Sequence, residues 1–264
     1  MNDEALSAIC VAITGSPFEV FAISLVVLWS SAWLGAFFFR KRRALEDDER
    51  EDFGIIHAAT LTLLALIIGF SFSMAISRYD QRKNYEEAEA NAIGTEYVRA
   101  DLLPAKDAAE VRGLLRKYLD QRILFYRTKD ARRLHQIDSD TAQLQADLWT
   151  AVRVQAAAQP TLVMALAVSG MNDVLNSQGY TQAAYWNRIP VGAWILMAVI
   201  AIGANLLVGY GSRRAESEKI LLLVLPVIVS VSFMLIADID SPRGGLIHVR
   251  PQNLESLAES LQGH

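Results

Sequence analysis

Residues 54–77 read GIIHAATLTLLALIIGFSFSMAIS, 24 residues without an Asp, Glu, Lys or Arg. As a helix rising about 1.5 Å per residue, such a run is longer than the roughly 30 Å hydrocarbon core of a bilayer. Three other stretches share the property: residues 20–39, 189–212 and 220–237, which are 20, 24 and 18 residues long. Four transmembrane helices are therefore expected, and a soluble cytosolic enzyme is excluded. The bulk composition agrees, with 52% hydrophobic and only 20% charged residues. No Lys or Arg precedes Arg40, so the first apolar run reads as a retained membrane helix rather than a secretory signal.

Outward from this stretch the chain divides into five segments. Residues 1–53 hold an N-terminal segment, a first transmembrane helix at about 19–39 and a basic loop; residues 54–103 form the second transmembrane helix, continuing as a long rod. No Pro interrupts that rod before Pro104, where the missing N–H stops a helix. Residues 104–188 recur in helical period, as in Val111, Leu115, Tyr118 and Phe125, and are expected to form an extramembrane helical bundle. Residues 189–237 supply the third and fourth transmembrane helices, and 238–264 a C-terminal tail. The expected class is all-α: a polytopic membrane protein whose helical extramembrane domain is inserted between transmembrane helices two and three.

Local signals refine this outline. Asp138, Ser139 and Asp140 are expected to cap a helix beginning at Thr141, Gly179 to stop one, and Pro190 to open the third membrane helix. Residues 154–172 also lack charge, but contain Gln155, Gln159, Pro160 and Asn172. They read either as a buried bundle helix or as a fifth crossing.

On the second membrane helix, Thr62, Ala65, Gly69, Ser73 and Ser77 fall at three- and four-residue steps. In a ring of subunits such a stripe of small and hydroxylated side chains lines a path, with Phe70 or Phe72 as a dewetting constriction. The same spacing also serves close helix packing in lipid. Arg78, Tyr79, Asp80, Arg82 and Lys83 follow, either as a charged vestibule or as the interfacial girdle that fixes helix depth. No acid or base lies at a helix centre, which argues against an ion-coupled carrier.

The tail begins Asp238-Ile239-Asp240-Ser241-Pro242-Arg243-Gly244-Gly245. Calcium sites take six to eight oxygens. Two carboxylates fall short of that, so Asp238, Asp240 and Arg243 read as a structural latch, with the two glycines free to take positive φ. Cys10 is the only cysteine and the net charge is −4. Neither a metal site, a cofactor nor nucleic-acid binding is expected, and no catalytic motif is present.

Phe70-Ser71-Phe72-Ser73-Met74-Ala75-Ile76-Ser77-Arg78-Tyr79-Asp80-Gln81-Arg82-Lys83, with Glu89 to Thr95, Asp101-Leu102-Leu103-Pro104 and the segment from Ala237 to Ile247, resembles the bacterial bestrophin-like family, a domain of unknown function. Its distant kin, the bestrophins, are anion channels that assemble as pentamers around a central pore. The resemblance thus implies an inner-membrane homo-oligomer that passes small anions. It implies no calcium gating, for the acidic calcium-binding run of animal bestrophins has no counterpart here. It also implies a cytosolic middle domain, whereas the basic runs at Arg40 to Arg43 and at Arg213, Arg214 and Lys219 place those two loops inside and the middle outside. Two functions follow: an anion channel built on the second membrane helix, or a non-conducting scaffold or signalling partner acting through the middle domain.

Overall fold

The computed structural model describes residues 15–39, 49–212 and 220–262. Helices make up the fold, with no strand among the described residues. Helix α1, Pro17–Leu34, starts with Pro17 in its first turn, where no N–H is required. It runs on as a π-helical turn, Gly35–Phe39. Helix α2 is a single element of 51 residues, Glu49–Arg99, about 76 Å long at 1.5 Å per residue. A 3-10 turn, Ala100–Leu102, ends it, and Leu103 is extended, the conformation favoured just before a proline. Then come α3 (Ala105–Arg127), α4 (Ala131–Ala158), α5 (Leu162–Trp186), α6 (Val191–Gly211), α7 (Leu221–Asp240) and α8 (Gln252–Gln262).

Among the described residues, four stretches are long and apolar enough to cross a bilayer: Pro17–Phe38, Glu49–Leu102, Leu162–Gly211 and Leu222–Asp240. Of the second, only residues 54–77 carry the charge-free run. The chain folds as two compact units, one of Met1–Tyr79 with Arg188–His248, the other of Asp80–Asn187 with Val249–His264.

In the first unit, Val20 and Leu28 of α1, Leu64 and Ala75 of α2, Trp194, Met197 and Ala201 of α6, and Val229, Phe233 and Ile236 of α7 form one buried cluster. Trp194 meets Phe233 edge-on, with centroids 6.3 Å apart. Helices α1 and α6 approach backbone to backbone. A Cβ built on Gly35 lies 2.1 Å from the Leu206 carbonyl oxygen, and one on Gly209 lies 1.9 Å from that of Ala32. Only glycine fits at either place. Ser31 Oγ donates to the Ile202 carbonyl at 2.8 Å across the same crossing.

Two local expectations are corrected, and one open reading is decided. Asp138, Ser139 and Asp140 lie inside α4, whose cap is Asp130, accepting from the Arg133 N–H at 2.9 Å. Mid-helix, Asp140 accepts from Gln136 at 2.8 Å, an i,i+4 pair that spares the backbone. Gly179 does not stop α5, which runs on to Trp186. Burying Thr181, Ala184 and Tyr185 beyond it outweighs the roughly 1 kcal/mol cost of a helical glycine. Residues 154–172 form no single span. Gln159 and Pro160 separate α4 from α5, and Met164, Ala167, Met171 and Val174 of α5 are buried within the second unit.

Candidate functional site

Helix α2 shows two faces over its apolar length. Leu64, Ser71 and Ala75 are buried at 3%, 3% and 0% exposure, and Leu61, Ile68 and Phe72 pack against the core cluster. On the opposite arc Thr62, Ala65, Gly69, Phe70, Ser73 and Ser77 are all exposed. Phe70 stands 62% exposed, and a Cβ built on Gly69 meets nothing within 4 Å. The small residues of this stripe therefore accommodate no neighbour within the protomer. Phe72 belongs to the other face, so the structure separates it from the residues it was grouped with.

The following charged segment is divided by the same helical period. Asp80 and Lys83 are exposed, Arg78 and Tyr79 half-buried, and Arg82 buried at 2% exposure. One Arg78 Nη lies 3.7 Å from Met74 Sδ. Nearer the other end, His57 stacks on Phe53 at 5.8 Å, and Phe53 meets Tyr210 edge-on at 5.7 Å.

At the end of α7 the two acids hold backbone amides. Asp238 accepts from Leu246 N–H at 2.7 Å and Ile247 N–H at 3.0 Å. Asp240 accepts from Ile189 N–H at 3.1 and 3.2 Å, with Arg188 Nε 3.6 Å away. The glycines serve a different purpose from the one expected, for none in the described chain takes positive φ. Their role is close approach: a Cβ on Gly245 lies 2.1 Å from Asp238 Oδ1, and one on Gly244 lies 1.8 Å from the Gly15 carbonyl oxygen. Arg243 sits half-buried in this turn. No cluster able to hold a metal occurs among the described residues.

The second unit contains a polar core that periodicity did not disclose. Glu89 and Arg122, both fully buried, form an ion pair through Nε, and Glu89 also accepts from Tyr126 Oη at 3.3 Å and Thr181 Oγ1 at 3.2 Å. The Arg122 guanidinium lies 4.4 Å from the Phe125 ring centroid. Burial opposes its charge, yet the Glu89 carboxylate more than compensates and holds it protonated. Burial, aided by that carboxylate, pushes the Tyr118 and Tyr126 phenols up. Three residues earlier, Glu86 accepts from the backbone of Asn253 and Leu254, each at 3.0 Å, and so caps α8. Glu96 differs from both. It is fully buried, neither oxygen finds a hydrogen-bond partner among the described residues, and burial pushes its pKa up to about 8. Arg82, Glu86, Glu89, Ile93, Glu96 and Ala100 are all buried. Their helical spacing is the signal that places these acids on a packed face.

A bestrophin-like domain model matches residues 22–254. The chain belongs to the bestrophin-like family. Among solved structures, a bacterial bestrophin homologue from Klebsiella pneumoniae carrying a point mutation is 13% identical, with TM-score 0.62, covering 94% of this chain and 98% of its own. A second structure of a Klebsiella pneumoniae homologue, phased with zinc, is 12% identical, with TM-score 0.62 and coverage of 92% and 97%. At these identities the likeness is one of fold. Comparison with curated proteins finds no match. The protein is thus a bestrophin-like membrane protein built from helices.

Proposed function

We propose that this bestrophin-like protein is a homo-oligomeric channel for small anions, crossing the bacterial cytoplasmic membrane four times, with α2 as the wall of its path. The observation that carries the reading is the exposed arc of Thr62, Ala65, Gly69, Ser73 and Ser77, on which Gly69 touches nothing. Within the protomer the helix packs by its other face, so this arc is free to face a symmetry axis. Phe70, on the same side and 62% exposed, supplies an apolar ring that gates by dewetting. Phe72, turned to the core, takes no part. Arg78 follows the stripe and offers positive charge at one mouth, beside Tyr79, Asp80, Arg82 and Lys83.

Asp238 and Asp240 act as the latch, Asp238 holding the turn after α7 through the Leu246 and Ile247 amides and Asp240 tying the end of α7 to the segment before α6 through the Ile189 amide. The test is chloride efflux from liposomes holding the purified oligomer. Efflux above the empty-liposome level, reduced by Gly69→Leu without loss of assembly, supports the channel. An intact oligomer that passes no chloride overturns it.

A further inference from the structure

Glu96 belongs to the part of α2 in the second unit, well beyond the charge-free run 54–77. It is fully buried, and neither carboxyl oxygen meets a hydrogen-bond partner among the described residues. The facing wall is Gly170 of α5, where a Cβ would lie 2.0 Å from Glu96 Oε2 and 2.5 Å from Arg99 Nη1. A side chain at 170 would displace both groups, so α5 seats on them through bare backbone. Oε2 and Nη1 stand no further apart than those two lengths together, a small side-chain rotation from an ion pair. Arg99 is instead turned to α5, its Nη1 3.5 Å from the Leu166 carbonyl oxygen.

Burial dominates the titration of this group and pushes its pKa up to about 8; Arg99 works against the shift and Asp173, exposed on α5, adds to it. From α3, Arg112 and Arg116 are engaged at Tyr97, Arg112 Nε donating to its carbonyl at 3.3 Å and Arg116 Nη2 to its hydroxyl at 2.6 Å. From α8, Leu257 reaches Gly94, while Glu255 pairs with Arg127 and Glu259 is exposed. A carboxylate buried without a donor costs far more than the neutral acid, so the seated helix requires the proton. Little else holds the start of α5, where Leu162, Val163 and Leu166 are exposed. We infer that Glu96 is a proton-operated catch between the end of α2 and α5: with its proton it holds the seat of Gly170, and without it the carboxylate turns to Arg99 and the first half of α5 lifts away. In that step the carboxyl O–H bond breaks, the proton passes to water, and Arg99 leaves the Leu166 carbonyl for the new anion. By linkage, whatever draws α5 from α2 also releases a proton.

The catch is independent of ion conduction, and so is its test. Amide hydrogen exchange of the full-length protein in detergent is followed by mass spectrometry across pH, corrected for the intrinsic exchange rate, in residues 162–174 of α5 and 111–119 of α3. Residues 162–174 are expected to open more readily than 111–119 at every pH, as a local event. Their opening rises about tenfold per pH unit from about pH 6, the slope of one released proton, and levels off above about pH 8. Glu96→Gln removes the slope. Arg99→Gln, which takes away the partner of the anion, moves the levelling point to higher pH. Equal opening of the two segments at every pH shows that Glu96 titrates only when the whole unit unfolds, and overturns the inference. So does opening of 162–174 that ignores pH, a slope that persists in Glu96→Gln, or a levelling point unmoved in Arg99→Gln. Should Glu96→Gln fail to fold, Arg99→Gln decides alone.

Discussion

A carboxyl group with both oxygens buried and unbonded, as at Glu96, keeps its proton up to about pH 8. In the unfolded chain the same group ionises near 4.5. Between those values the folded state holds a proton that the unfolded state has released, so stability falls as pH rises through the interval and levels off above it. Thermal unfolding in detergent is expected to show this slope, and Glu96→Gln to flatten it. Glu89, by contrast, has a buried partner in Arg122. Glu89→Gln leaves the Arg122 charge buried and uncompensated, a loss of roughly 3–5 kcal/mol. The double variant Glu89→Gln with Arg122→Met loses less than that in denaturant titration. None of this was legible from charge counts, since a buried acid and a solvated one are the same letter. What does distinguish them is position: Glu86, Glu89 and Glu96 share a helix face with Ala90, Ile93 and Ala100.

Elements were more legible than residues. Long charge-free runs give their own helices, since a backbone in hydrocarbon has no other partner for its N–H and C=O groups. Where the reading failed, at Asp138 to Asp140 and at Gly179, residues typical of helix ends lie inside helices. Packing decided against local preference, as at Thr181, Ala184 and Tyr185 beyond Gly179. The contacts between elements yield two predictions. Gly209→Ala places a methyl against the Ala32 carbonyl and is expected to destabilise the first unit by about 1–3 kcal/mol. Gly203→Ala, with nothing within 4 Å, is tolerated and serves as the control for thermal unfolding. Glu86→Ala removes the cap on α8 at a cost of about 1–2 kcal/mol. Limited proteolysis is expected to cut within Gln252–Gln262 in this variant before the unaltered protein is attacked.

For the whole molecule, the sequence disclosed the membrane class and the stripe on α2, but not which way that stripe faces. Small residues at three- and four-residue steps suit either a neighbour or a lumen, and only the empty surroundings of Gly69 decide against a neighbour within the protomer. The channel reading predicts that Phe70→Ala raises chloride efflux from proteoliposomes, by removing the apolar ring, while Phe72→Ala acts mainly on stability. The glycine contacts between α1 and α6 bear on how such a path would open. Main chain rests on main chain at Gly35 and Gly209, with no side chain between them to change rotamer and make room. At those two contacts α1 and α6 are already at the limit of close approach. On the channel reading, a path lined by α2 then widens through movement of α2 itself rather than through a change of packing between α1 and α6.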